Sequence, residues 1–102
     1  MNRDSLLNTL SRLKKEYAKE GFVIEGVFGS VVSPNVSDPN DIDILVHTTP
    51  EFSKRYRFGA INRYHEIRDE ISQTLGYPID LASSTGMGRT AQKYIIDRAV
   101  YI

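Results

Sequence analysis

The stretch that decides the fold is Asp41-Ile42-Asp43-Ile44-Leu45-Val46, in which two carboxylates open an apolar run. The β-branched and aliphatic residues of this run are typical of a buried strand. Alternation along a strand places Asp41 and Asp43 on one face of the sheet and Ile42 on the other. Two residues of strand span about 6.6 Å, so both carboxylates can reach paired ions that lie about 4 Å apart. The stretch predicts a carboxylate site for hard cations such as magnesium.

Two long amphipathic helices are predicted from apolar residues at three- and four-residue spacing. The first begins at Asp4 or Ser5 and ends at Gly21. The second covers 61–75, with its apolar stripe beginning at Ile61. Both have polar residues on their remaining faces, so each is expected to pack one side against a sheet.

Runs of β-branched, aliphatic and aromatic residues predict the strands, at 22–28, 42–46 and 78–82, with an extended tail at 100–102. A last helix is expected to follow the candidate caps Ser83, Ser84 and Thr85 and to reach Ala99. This element order predicts the α/β (α+β) class, a small mixed sheet flanked by helices. The order of the strands, and the direction of the first strand relative to the second, are left open by the sequence.

A third aspartate, Asp80, lies in the middle of the strand predicted at 78–82. A neighbouring strand could bring it to the face that carries Asp41 and Asp43. Three converging carboxylates repel one another, and magnesium removes that repulsion. The alternative is that all three are solvated strand residues, which is the usual meaning of an isolated Asp-x-Asp.

Composition excludes several classes of function. The chain has 102 residues, thirteen basic and thirteen acidic, and no cysteine. The length predicts a single domain over 1–102. The charge balance argues against broad binding to nucleic acid or anionic membranes, and the missing cysteines exclude disulfides and thiolate metal sites. The absence of a signal-peptide pattern and of any long apolar run predicts a cytoplasmic protein with no membrane partner.

The residues from 52 to 63 combine basic and aromatic side chains, namely Lys54, Arg55, Arg57 and Arg63 with Phe52, Tyr56 and Phe58 between them. Residues 52–59 are given no secondary structure. One interpretation is a nucleotide- or partner-binding surface that supplies positive charge. The favoured one is a solvated basic loop whose aromatic rings pack against the core. His47 and His65 are interpreted as structural or surface residues.

Gly29-Ser30 directly follows the first strand, where a glycine allows a sharp turn close to a ligand and a serine hydroxyl can cap a following helix. Val27-Phe28-Gly29-Ser30, followed by Asp41-Ile42-Asp43-Ile44-Leu45-Val46, resembles the Gly-Ser…Asp-x-Asp signature of the DNA-polymerase-β-like nucleotidyltransferases. The short chain, Gly76-Tyr77-Pro78-Ile79-Asp80-Leu81 and the closing Ile95-Ile96-x-x-Ala99-Val100-x-Ile102 pattern resemble the minimal nucleotidyltransferase branch. The resemblance covers nearly the whole chain.

The resemblance implies a role for each matching residue. Asp41 and Asp43 would bind two magnesium ions, and Asp80 would help to hold one and activate the attacking hydroxyl. Gly29 and Ser30 would hold the triphosphate. The implied reaction transfers AMP from ATP to a hydroxyl group of a protein. For this branch the acceptor is often a tyrosine of a HEPN-domain toxin encoded nearby, with the nucleotidyltransferase acting as the antitoxin.

One departure from the family pattern supports an alternative function. Many relatives carry a basic residue just after Gly-Ser, whereas this chain has Val31-Val32-Ser33-Pro34. Without that charge, the same fold could neutralise a toxic partner by contact, with weak or no catalysis. A third interpretation is a small ligand-binding domain whose aspartates hold only a structural cation.

Overall fold

The computed structural model describes residues 3–28, 41–84 and 99–102. Its helices are α1 (Arg3–Ala18), α2 (Pro50–Tyr56) and α3 (Ala60–Leu75), with a short 3₁₀ turn (Arg57–Gly59) between the last two. Its strands are β1 (Phe22–Phe28), β2 (Ile42–Thr48), β3 (Ile79–Ser83) and β4 (Val100–Tyr101). The helix expected between Thr85 and Ala99 lies almost wholly outside the described residues.

The four strands form one sheet in the order β3-β2-β1-β4. β1 runs antiparallel to both β2 and β4, and β2 runs parallel to β3. The sheet is therefore mixed, as predicted, and the direction of β1 relative to β2 is settled as antiparallel. The parallel pair needs a crossover, which α2 and α3 provide.

The hydrophobic core lies between one face of this sheet and the helices α1 and α3. β1 contributes Phe22, Ile24 and Val27, and β2 contributes Ile42, Ile44 and Val46. Leu6, Leu10, Leu13 and Tyr17 from α1, with Ile67 and Ile71 from α3, pack on these strand residues. By alternation, the side chains of Asp43, Leu45 and His47 lie on the opposite face of β2.

Two sequence expectations need correction in this region. Most of α2 falls in the segment 52–59, for which the sequence predicts no secondary structure. The helix begins at Pro50, a residue that favours helical entry, and Phe52 packs into the core four residues before the half-buried Tyr56. Ser83, expected to cap a helix, belongs to β3, where it is the register partner of Val46. The next residue continues this pairing, since the backbone N–H of Ser84 donates to the carbonyl of Val46 at 2.9 Å.

A third correction concerns the start of α3. Ile61 was expected on the buried stripe, but it is 72% exposed. The buried stripe of α3 consists of Ile67 and Ile71, with Tyr64 and Leu75 partly buried beside them. Ile61 lies in the first turn of the helix, directly after the exposed 3₁₀ turn.

A charged network joins the C-terminal end of α1 to α3. Arg63 donates from Nε and Nη2 to the two carboxylate oxygens of Glu20, at 2.8 and 2.7 Å, and from Nη1 to Glu70 at 2.9 Å. The hydroxyl of Tyr17 donates to Glu70 at 2.6 Å, and that of Tyr56 donates to Glu20. This two-pronged pairing lowers the pKa of Glu20. The guanidinium of Arg63 is thus neutralised within the fold.

Across residues 3–28, 41–84 and 99–102, no helix is both long enough and apolar enough to cross a membrane.

Candidate active site

Asp43 and Asp80 lie side by side on the two parallel strands. They are register partners between β2 and β3, so their side chains project from the same face of the sheet at the same height. Their apolar neighbours Ile42 and Ile79 form the preceding pair and project towards the core face. The sequence expectation that a neighbouring strand brings Asp80 to the face of Asp43 is confirmed by this pairing.

Asp41, the third predicted ligand, lies at the beginning of β2 but is not part of the register pair. It is exposed and lies directly before the strand, two residues from Asp43. The start of β2 is fixed next to β3 by a hydrogen bond from the N–H of Ile42 to the carbonyl of Pro78, at 3.0 Å. Because Pro78 is the residue before β3, this bond holds the beginnings of the two acidic strands together.

The electrostatics of Asp43 reflect its position between two other acids. Its pKa is raised, first because the side chain is partly buried, and then because of the negative charges of Asp80 and Asp41. Both effects disfavour the ionised carboxylate. Among the described residues, none of the three aspartates forms a hydrogen bond or ion pair that would offset this repulsion. The three charges are therefore left uncompensated by the part of the protein that the structure describes.

These carboxylates are chemically suited to a hard divalent cation, since magnesium prefers oxygen ligands and retains several of its own waters. A cation would relieve the repulsion that raises the pKa of Asp43. In the described ranges, however, no three acidic or histidine side chains are gathered closely enough to form a complete metal site. The strand pairing thus brings together Asp43 and Asp80 as potential ligands, without a finished coordination shell.

The predicted phosphate-binding residues Gly29 and Ser30 lie outside the described residues. The structure describes the end of β1, which directly precedes them in the sequence. Phe28, the last residue of β1, is the register partner of Asp43. The described end of β1 therefore lies at the level of the aspartate pair.

The basic residues of the described segment 52–63 lie away from this pair or are already neutralised. Arg63 belongs to the network with Glu20 and Glu70. Lys54 and Arg55 are exposed on α2, which begins two residues after the far end of β2. The favoured interpretation of a solvated basic segment fits these residues. It is wrong for one aromatic ring: Phe58 does not pack against the core but is completely exposed.

One feature of this sheet face was not predicted from the sequence. Glu25 forms a β-bulge in β1, where the register with β2 shifts by one residue between Ile24 and Gly26. Oε2 of Glu25 lies 3.3 Å from Nδ1 of His47. This oxygen is buried and forms no hydrogen bond with the described residues. The Glu-Gly pair inside an apolar run is the sequence signal that could have indicated the bulge. His65, as expected, is an exposed residue of α3.

Comparison with known proteins shows the family to which this chain belongs. The sequence model of the nucleotidyltransferase domain family matches residues 8–102. The chain is therefore a member of the nucleotidyltransferase domain family, whose members are transferases that generally act on nucleoside triphosphates with a divalent metal ion.

The fold also matches that of a solved structure. It is provisionally described as a minimal nucleotidyltransferase, and it matches with a TM-score of 0.77 at 20% sequence identity, over 100% of this chain and 97% of that one. The protein has the fold of that minimal nucleotidyltransferase, which confirms the predicted fold class. No curated protein matches the sequence.

Proposed function

We propose that the protein transfers AMP from ATP, with two magnesium ions, to the hydroxyl group of a tyrosine in a protein partner. The observation that carries the proposal is the register pairing of Asp43 with Asp80, with Asp41 immediately before the same strand. In this proposal Asp41, Asp43 and Asp80 are the metal ligands, and Gly29 and Ser30 bind the triphosphate. The catalytic unit is a single domain over 1–102, acting in the cytoplasm.

The chemistry assigned to these residues is a displacement at the α-phosphorus of ATP. A bond forms from the acceptor oxygen to the α-phosphorus, the bond to the bridging oxygen of the β-phosphate breaks, and pyrophosphate leaves. Divalent ions bound to the carboxylates would neutralise the charge that develops on the phosphate oxygens. Asp80 would accept the hydroxyl proton, since its side chain is more exposed than that of Asp43 and can face an acceptor that arrives from solvent.

The partner in this proposal is a HEPN-domain toxin encoded nearby, which the protein would inactivate as an antitoxin. Support comes from the resemblance of the Gly29-Ser30 and Asp41-Ile42-Asp43 motifs to the minimal nucleotidyltransferase branch. Membership of the nucleotidyltransferase family is consistent with a nucleoside triphosphate as the substrate. No membrane partner and no direct nucleic-acid binding are proposed.

A second function is favoured by one specific observation. The sequence after Gly-Ser, Val31-Val32-Ser33-Pro34, lacks a basic residue to neutralise a triphosphate. Arg63, which could have supplied that charge from elsewhere, is held by Glu20 and Glu70. The alternative is an antitoxin of the same fold that is catalytically weak or inactive and neutralises its partner by binding.

The experiment that separates these functions is incubation with magnesium and ATP labelled on the α-phosphate, with and without the product of the adjacent gene. Transfer of label to that product, and its loss in the Asp41→Asn/Asp43→Asn variant, is the expected result. A matched control is Asp4→Asn/Asp69→Asn, which removes two exposed acids outside the site and should label normally. Equal labelling by both double variants would reject the proposal. No labelling, combined with full protection of cells by the Asp41→Asn/Asp43→Asn variant, would establish the binding-only alternative.

A further inference from the structure

We propose that a surface on the α2–α3 corner docks a protein partner that presents an apolar side chain flanked by carboxylates. We call it the corner surface; it consists of Phe58 and Ile61 with the cations Lys54, Arg55 and Arg57. The proposal rests on the proposed function only for the existence of a protein partner. It makes no use of the aspartates or of catalysis.

The corner surface exposes the largest apolar side chains available to solvent in the described part of the chain. Phe58 is 105% exposed and Ile61 is 72% exposed, and the next of this kind, Tyr101, is 48% exposed. Phe58 lies in the 3₁₀ turn and Ile61 in the first turn of α3, three residues further on, so both belong to the corner between α2 and α3. Exposed apolar side chains that are grouped, rather than scattered, mark interaction sites.

The backbone that presents Phe58 is strained. Arg57, directly before it, has φ 50° and ψ −119°, a positive-φ backbone conformation that residues other than glycine rarely adopt. Within the described residues it is the one residue other than glycine with a positive φ. Strained conformations persist where the surrounding structure requires them, and they concentrate at functional sites. Here the strain ends α2 and directs the chain so that the ring of Phe58 stands in solvent.

A groove beside these residues offers space for an apolar side chain. It has a volume of about 200 Å³ and a mostly apolar lining, formed by Thr48, Phe52, Ser53, Ala60, Ile61, Tyr64 and Ser83. Ile61 belongs both to the groove wall and to the exposed apolar pair. An apolar anchor seated in the groove would therefore cover Ile61 and approach Phe58 in the same contact.

The charge around the corner surface defines the chemistry of the occupant. Residues 50–61 contain Lys54, Arg55 and Arg57 against a single acid, Glu51, although the whole chain is neutral. All three cations are exposed, and none forms an ion pair with another residue of the described ranges, unlike Arg63. Complementary potentials steer partners together, so the occupant carries Asp or Glu beside its apolar anchor. The aliphatic Ile61 and the apolar groove favour a protein segment over a nucleic acid, which would use aromatic stacking and phosphate contacts.

Docking at this corner is separable from the aspartate pair. Thr48 and Ser83 of the groove are the last residues of β2 and β3, whereas Asp43 and Asp80 lie near the beginnings of those strands. Thr48 is five residues from Asp43, which corresponds to about 16 Å along the strand. Variants at one place should leave the other intact.

The test uses a photo-crosslinking residue, p-benzoylphenylalanine, placed at position 58 of the full chain in its native cells. The control chain carries the same residue at Gln73, an exposed position near the end of α3. The expected result is one protein adduct specific to position 58, with the attachment mapped by mass spectrometry to an apolar segment flanked by acidic residues. An adduct with a second copy of this chain, an adduct with RNA, or no adduct beyond the Gln73 control would overturn the proposal.

Affinity measurements with the identified partner, purified, complete the test. The Phe58→Ser/Ile61→Ser variant should weaken binding at least tenfold, and the matched Tyr101→Ser variant should not. The Lys54→Glu/Arg57→Glu variant should weaken binding more than Lys15→Glu/Lys19→Glu, which makes the same change in net charge on another exposed region. Asp43→Asn/Asp80→Asn should bind normally. If the corner variants bind like wild type, docking at this surface is wrong, whatever the outcome of the labelling experiment.

Discussion

Replacing Asp80 by Asn removes one of two like charges that the parallel register of β2 and β3 holds side by side. The substitution keeps the shape of the side chain and leaves Asp43 in place. In the wild-type protein the charge of Asp80 contributes to the raised pKa of Asp43. Without divalent cations, the Asp80→Asn variant is therefore expected to be more stable than the wild type at neutral pH.

The magnitude follows from the strand geometry. Neighbouring strands lie about 4.8 Å apart, and two unit charges about 5 Å apart repel by about 0.8 kcal/mol in bulk water and about 3 kcal/mol at an effective dielectric constant near 20. Asp80 is exposed and Asp43 only partly buried, so solvent screening favours the lower part of this range. We expect the unfolding free energy to rise by about 1 kcal/mol.

The dependence on pH has a defined sign. The folded-state pKa of Asp43 is raised above its unfolded value, so ionisation of Asp43 costs stability. The cost is absent below the unfolded pKa, and it develops as pH rises through the folded pKa. The gain in the Asp80→Asn variant should therefore be complete at pH 7 and close to zero at pH 3, where Asp43 is protonated and carries no charge for Asp80 to repel.

The assay is urea denaturation of the wild type and the variant in EDTA at both pH values. Asp69→Asn is the matched control, because Asp69 is exposed and lies 3.4 Å from Arg68, so its charge is favourable rather than repulsive. It should change stability by less than about 0.5 kcal/mol. A gain of equal size at pH 7 and pH 3, or no gain at pH 7, would show that Asp43 and Asp80 do not interact as the register implies.

Two further substitutions test contacts that stabilise the fold around this site. Arg63→Met should destabilise the protein by about 2 kcal/mol at pH 7, because among the described residues it leaves Glu20 with only the Tyr56 hydroxyl as a hydrogen-bond partner. Since the pKa of Glu20 is lowered in the fold, the stability difference between wild type and variant should shrink as pH falls through the ordinary range of a carboxyl group. A difference that does not vary with pH in urea titrations would contradict this assignment. Gly26→Ala should cost about 2 kcal/mol by the same assay, since its Cβ would lie 2.3 Å from the carbonyl oxygen of Val100 in β4; wild-type stability in this variant would mean that β4 does not pair with β1.

The sequence was sufficient to predict the strands that carry a regular apolar pattern. The strand predicted at 22–28 has the same bounds as β1, and 42–46 lies within β2. Asp80 falls inside β3, as expected, because the alternation around Ile79 and Leu81 is short but regular. The placement of Gly29 and Ser30 at the triphosphate stays a prediction.

What the sequence could not supply are the features that depend on contacts between distant segments. α2 has only Phe52 fully buried, which is too few residues to produce a helical period. The exposure of Phe58 depends on the backbone conformation of Arg57, which no composition rule indicates. The pairing of Asp43 with Asp80 is a matter of register between strands that α2 and α3 separate, and register is fixed by packing rather than by either strand alone.

The β-bulge at Glu25 links the core to the position of the aspartate pair. Before the bulge, Ile24 pairs with Val46, and a regular ladder would continue by placing Val27 opposite Asp43, on the acidic face. The extra residue shifts the register by one, so that Val27 instead pairs with Ile44 and faces the core, and Phe28 becomes the partner of Asp43. One inserted residue therefore buries a valine and also brings the end of β1 to the level of the carboxylates.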